Sequence, residues 1–233
     1  MEKIEYNKDT LDILKSLSSL SKALIIRKID NGEKISIKSG DISSFIMYHL
    51  EAPVNHFNFK GDECAFYEYP DFHDLMSILD ECDMHQNGDI ITLVSDKTKI
   101  KYLTSEAELI KNEWETIPES DTVGSFKLDF EALKKINKLK SSIKAKSLKI
   151  KLEKNEIKFV LFSKENENMC EEIFMNEIDN LDDYEFLLST EIFDKLPLAN
   201  YEFNITESGI LKVKMLLDDI DLWIYTGEII EDV

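Results

Sequence analysis

In the stretch 147–162, SLKIKLEKNEIKFVLF, residues 148–153 alternate strictly. Leu148, Ile150 and Leu152 fall on one face, Lys149, Lys151 and Glu153 on the other, and EIKFVLF follows a turn at Lys154-Asn155. Successive side chains of a strand point to opposite sides, so the segment reads as an antiparallel pair with one buried face. A sheet of this kind needs an apolar cover on that face. The segment before it supplies one, since Leu133, Ile136, Leu139 and Ile143 recur at helical spacing and share roughly 120° of arc.

The same succession, an amphipathic helix followed by strands and tight polar turns, recurs along the chain. The first helix is expected over 8–20, with Leu11, Leu14 and Leu17 as its stripe and Asn7 as its cap. Strands follow at about 22–29, 33–38 and 43–51, and Asp30-Asn31-Gly32 marks a tight turn because Asn and Gly tolerate positive φ. A second unit starts near Cys64, with a helix over 71–82, strands over 89–95 and 99–104, and a last strand in ELIKNEW. A third has a strand over 124–128, a helix over 129–142, the alternating pair above, and a strand over 169–178. The fourth has a strand over 183–189, a helix over 190–197 and strands over 201–206, 210–217 and 221–227. Four such units imply an α+β fold, with helices on one face of antiparallel sheets. The polar stretch ETIPESDT, with Pro118, separates two similar halves. The expected division is residues 1–115, a connector over 116–123, and residues 124–233.

Charge is distributed unevenly over this scaffold. The formal net charge is −19, yet residues 127–158 hold eleven lysines against four acids, which leaves −26 for the rest. Overall acidity argues against a protein that coats nucleic acid generally, because like charge repels phosphate. It does not exclude a local basic surface. On the helix over 129–142, Lys134, Lys135 and Lys138 lie opposite the apolar stripe, Lys140 lies on the flank, and Lys144 and Lys146 continue the charge beyond its end. The first helix adds Lys8 and Lys15, although Asp12 intrudes. The second and fourth contribute only His73 and Lys195. Arg27 is the only arginine. Lysine meets phosphate as a hydrated point charge, while arginine is the commonest bidentate reader of guanine, so contact with the backbone is favoured over base reading.

Other chemistries find less support. Cys64, His73, Cys82 and His85 lack two close ligand pairs for zinc. Pro70-Asp71 with Glu156-x-Lys158 is too short to specify a metal-dependent nuclease. Asp218-Asp219-x-Asp221 reads as a solvated turn, and there is no phosphate-binding glycine loop or nucleophile elbow. No catalytic residue, metal or cofactor is expected. No apolar run approaches the length of a membrane span, the N-terminus lacks the apolar core of a secretory signal, and three irregularly spaced cysteines suit a reduced, cytoplasmic setting.

The whole layout resembles the DNA sliding clamps, the phage-type polymerase clamps in particular, similar in fold to proliferating cell nuclear antigen. The stretches that carry the resemblance are YNKDTLDILKSLSSL, FYEYPDFHDLMSIL, FKLDFEALKKINKL and KSLKIKLEKNEIKFVLFSK. It implies a homotrimeric ring lined by helices, through which duplex DNA passes without sequence preference. The implied partners are a DNA polymerase, a clamp loader and, in some systems, transcription factors, in the host cytoplasm if the chain is phage-encoded. By position it places Lys8, Lys15, Lys134, Lys135, Lys138, Lys140 and Lys144 in the DNA channel. It places Trp114, Ile117, Pro118, Trp223 and Tyr225 around a pocket for a partner peptide. Subunits would join through edge strands at about 107–114 and 169–178, with Lys111, Glu171, Glu172 and Glu177 adding charge pairs. A monomeric polymerase accessory factor or a transcription coactivator of the same fold is the alternative.

Overall fold

The structure, a computed structural model, describes residues 2–41, 45–79, 81–111, 120–153, 156–163, 168–175 and 183–229. The chain divides into two compact units. One comprises Met1–Thr116 with Leu217–Leu222, the other Ile117–Leu216 with Trp223–Val233.

In the first unit the order is β1 (Glu2–Tyr6), α1 (Lys8–Leu17), β2 (Leu24–Ile29), β3 (Lys34–Asp41), β4 (Ile46–Pro53) and β5 (Phe57–Asn58). Then come β6 (Glu63–Phe66), α2 (Tyr69–Ser77), β7 (Asp83–Asn87), β8 (Ile90–Ser95) and β9 (Thr98–Leu103). The strands form two antiparallel runs, β6-β2-β3-β4 and β5-β1-β7-β8-β9. The second unit has β10 (Thr122–Leu128), α3 (Phe130–Ile143), β11 (Ser147–Glu153), β12 (Glu156–Phe162) and β13 (Met169–Met175). It continues with β14 (Tyr184–Ser189), α4 (Glu191–Lys195), β15 (Tyr201–Thr206), β16 (Ile210–Met215) and β17 (Asp221–Gly227). Here the runs are β13-β12-β11-β14 and β10-β15-β16-β17.

Each unit is thus built from two strand-helix-strands modules that exchange their leading strands. β1 pairs with β7 of the following module and β6 with β2 of the preceding one; β10 pairs with β15 and β14 with β11 in the same way. Neither module can close its sheet without its neighbour. The helices cover the inner faces. Leu11, Leu14 and Leu17 of α1 and Leu133 and Ile136 of α3 are fully buried. Phe57, Phe66, Tyr69, Phe72 and Tyr102 form a connected aromatic cluster in the first unit. In the second unit, Phe126 and Phe203 are cross-strand partners with rings stacked at 5.0 Å. Fully burying one such ring stabilises by about 1.5–3 kcal/mol.

Local signals set the boundaries. Asn7 Oδ1 accepts from Thr10 N at 3.0 Å and caps α1, while Asp129 Oδ1 accepts from Ala132 N at 2.8 Å and caps α3. The Asp30-Asn31-Gly32 turn forms with all three residues at positive φ. At Gly40, a Cβ would come within 2.6 Å of Ile46 O, so β3 and β4 approach closely there.

Several expected elements shift. The helix read over 71–82 spans Tyr69–Ser77, and the helix read over 190–197 is five residues long, Glu191–Lys195. Strands β1 and β7 were not anticipated. Their sequences, EKIEY and DMHQN, carry one strongly apolar residue each, Ile4 and Met84, and ladder hydrogen bonds to neighbours hold the remainder. The strand expected over 107–114 is not formed in its described part. Ala107–Leu109 is a 3-10 turn, and Ile110 packs on Ile25 and Ala65. Just before the turn, Ser105 forms an isolated antiparallel bridge with Ala65 of the outer strand β6, its N donating to Ala65 O, and the pairing goes no further. Residues 112–119 lie outside the described part.

Candidate nucleic-acid interface

α3 is fourteen residues long and amphipathic for the reason its sequence suggests. Leu133 and Ile136 are buried, Leu139 and Ile143 half-buried, and Lys134, Lys135 and Lys138 are exposed. The helix ends at Lys144, whose φ of 55° and ψ of 41° place it in the left-handed region. Glycine or asparagine is usual at this terminal position because a Cβ is strained there. A lysine there keeps an exposed ammonium group at the helix end.

The positive side chains of α3 differ sharply in what they touch. Lys135 pairs with Glu172 of β13. Lys140 pairs with Asp194 of α4 and donates to Thr190 O at 3.3 Å, with only 12% of its side chain exposed. It is a strut between two helices. Lys134 lies 5.5 Å from the centroid of Phe130 and 4.0 Å from Glu131. Among the described residues, Lys138 and Lys144 have no ion-pair partner.

On α1, Lys8 is exposed and likewise without an ion pair among the described residues. Lys15 is not available in the same sense. Its Nζ donates to Asp74 Oδ1 at 2.7 Å and to Pro70 O at 3.1 Å, both on α2. The lysine holds the Asp74 carboxyl below the usual carboxylate range through that hydrogen bond. A second tie runs beside it, with His73 Nε2 donating to Asp12 Oδ1 at 2.7 Å.

The residues expected at a partner pocket are dispersed in character. Trp114, Ile117 and Pro118 lie outside the described residues. Trp223 and Tyr225 stand on the same face of β17, with rings stacked at 6.5 Å. Trp223 is half-buried with Lys214 Nζ 4.9 Å from its ring centroid, and Tyr225 is buried.

β13 is the outermost strand of its sheet and exposes Met169 (68%) and Ile173 (47%). Glu172 is taken up by Lys135, Glu171 and Lys111 are exposed, and Glu177 lies outside the described residues. The partners that sequence reasoning missed are Asp74, Asp194 and Phe130. Phe130, directly after the Asp129 cap and four residues before Lys134, carried a helical i,i+4 signal. The two acids carried none.

The residues considered for zinc do not converge. Cys64 is buried, its thiol pushed up to about 12 by that burial. Cys82 meets Tyr6, whose Oη donates to Cys82 O at 2.8 Å, and His73 is engaged with Asp12. Among the described residues no group of three metal-binding side chains forms. Asp219 of the acidic run contacts His56 Nε2 at 3.2 Å. No helix among the described residues is long and apolar enough to cross a membrane.

No family model and no curated protein matches the sequence. Solved structures do. The chain is similar to the A. fulgidus PCNA structure with the C-terminal region of FEN-1 (TM-score 0.81, 11% identity, 100% of both chains). It is also similar to PCNA of Entamoeba histolytica (TM-score 0.77, 16% identity, 98% of both chains). A third likeness is to the PCNA2–PCNA3 complex of Sulfolobus tokodaii (TM-score 0.75, 13% identity, 98% of this chain and 99% of that one). The chain has the DNA-clamp fold, an α+β architecture of two similar domains.

Proposed function

We propose that the chain is a sliding clamp of the phage type, a non-catalytic factor that closes as a homotrimeric ring around duplex DNA and tethers a replicative polymerase. The carrying observation is the outward face of α3, almost purely basic in a chain of net charge −19. That face suits sequence-independent contact with phosphate. Lysines on mobile stems exchange phosphates at little cost, and a grip without base contacts leaves the ring free to move along the duplex. The fold match over the full chain supports the same function, and the exposed, apolar outer strand β13 supports self-association.

Within this proposal Lys134, Lys138 and Lys144 are the phosphate-facing groups, and Lys8, beside Asp9, is not one of them. Lys15, Lys135 and Lys140 hold elements together. Trp223, half-buried under Lys214, is the candidate anchor for a partner peptide, and a clamp loader opens the ring. The setting is the cytoplasm. Processivity needs no chemistry, because encirclement keeps the polymerase at high effective concentration near the primer end.

Two measurements test this. Native mass should correspond to three copies of the 27.1 kDa chain. Once loaded, the protein should stay on nicked circular DNA and escape from linear DNA through its free ends. A strict monomer, or equal retention on both DNA forms, would overturn the ring.

A further inference from the structure

The two units carry helix layers of opposite electrostatic character. α1 has two lysines and two aspartates, and α2 has two aspartates and no lysine. The lysine of α1 nearest to α2, Lys15, is bound to Asp74, and Asp12 is bound to His73. What remains exposed on this layer is Lys8 against Asp9 and Asp71. In the second unit, α3 has four lysines and one acid, Lys144 adds a fifth cation at its end, and the short α4 adds Glu191, Asp194 and Lys195, which leaves the layer net positive. Glu172 and Asp194 neutralise two of these, Lys135 and Lys140. Lys134, Lys138 and Lys144 remain exposed, with Glu131 touching only Lys134, at the outer limit of an ion pair.

Separate observations point to two of them, Lys144 and Lys134. Lys144 occupies a left-handed backbone position that glycine would fill without strain. Strain of this type is sustained where the side chain has a use. Lys134 is also held in place from below, over the half-exposed ring of Phe130.

Resting on the clamp function above, we infer that the second unit alone grips the duplex, through Lys134, Lys138 and Lys144, and that the α1–α2 layer is electrostatically silent toward phosphate. Each protomer then offers up to three phosphate contacts, all from one helix and its terminus. The internal ties of α1 and α2 serve a different end, the rigidity of the first unit.

The salt dependence of duplex binding reads this directly. Each lysine engaged with phosphate contributes about 0.9 to the slope of log K against log salt on B-form DNA. The probe is a labelled blunt duplex of about 30 base pairs, roughly three helical turns, followed by fluorescence anisotropy over a salt series. The triple variant Lys134→Gln, Lys138→Gln, Lys144→Gln should lower the slope by up to about 2.7 per engaged protomer. The double variant Lys8→Gln, Lys15→Gln should leave it unchanged. Circular dichroism melting confirms that both variants fold. Equal loss of slope in the two variants would overturn the division of labour while keeping the DNA-binding function. A wild-type protein with no salt-dependent binding would retire both.

Discussion

Lys138 and Lys140 are two residues apart on one helix, and the proposed function gives them opposite duties. Replacing each with methionine, which keeps most of the stem and removes the charge, separates the duties. For Lys140→Met the loss is structural. The ammonium group pairs with Asp194 and donates to Thr190 O, and the side chain is 12% exposed. A hydrogen bond to a charged group contributes about 1.5–3 kcal/mol. Asp194 is 58% exposed and regains water when its partner leaves, so the net loss falls to about 1–2 kcal/mol. In a domain-sized protein each kcal/mol shifts Tm by about 2–4 °C, so Lys140→Met should melt some degrees lower. Its duplex affinity and salt slope should match wild type. Lys138→Met should reverse the pattern. Its side chain is exposed, so stability should change by no more than about 0.5 kcal/mol. Loss of one phosphate contact at a slope of about 0.9 corresponds to about eightfold weaker binding near 0.1 M salt for each engaged protomer. Thermal melting and anisotropy on the same preparations give both numbers. A shallower salt slope in Lys140→Met, or an unaltered one in Lys138→Met, would refute the assignment.

Two further outcomes concern the scaffold. Gly40→Ala places a Cβ 2.6 Å from Ile46 O and 2.7 Å from Met47 Cα, both backbone atoms that no rotamer can move aside. It should cost about 1–3 kcal/mol by urea denaturation, whereas Gly227→Ala, with nothing within 4 Å, should cost nothing; equal midpoints would refute the steric account. Hydrogen bonds from Lys151 and then Lys149 hold Glu185 below its ordinary carboxyl range. The folded state therefore binds fewer protons there, and the contribution is present above about pH 4.5 and lost as pH falls through the lowered folded value. Glu185→Gln should flatten the acid limb of the stability–pH curve and leave the neutral region nearly unchanged.

Much of this architecture was legible in the chain because the signals were local. Period-two alternation located β11, and helical spacing located α1, with its Asn7 cap, and α3. β1 and β7 escaped because a strand held by its neighbours' ladder needs little apolar pattern of its own. The exchange of leading strands between modules is topological, and no local pattern encodes it. The same limit applies to the interface. Lys15 meets Asp74 across 59 residues, and Lys135 meets Glu172 across 37. Only the fold brings those acids up. Lys140 is different, for its burial could have been read from the helix. At about 100° per residue it falls about 20° from Leu133 and 40° from Ile136, within the apolar arc. A lysine in that arc requires a partner at its tip.

That angular position accounts for which cations of α3 remain available. Lys134 and Lys138 stand about 40° apart near the middle of the polar arc, farthest from the sheet and from α4. The acids of those neighbours reach Lys135, toward the arc's edge, and Lys140, within the apolar arc, while Glu131 of α3 itself touches Lys134 only at 4.0 Å. Acidity elsewhere in the chain therefore does not extinguish the basic face. Glu172 and Asp194 fasten the helix in place, and the lysines beyond their reach stay solvated and mobile. An arginine at those positions would engage phosphate through a bidentate fork, with a directional hold that must be broken at each step. A solvated ammonium on a four-carbon stem passes from one phosphate to the next with less reorganisation, which is the property that motion along a duplex demands.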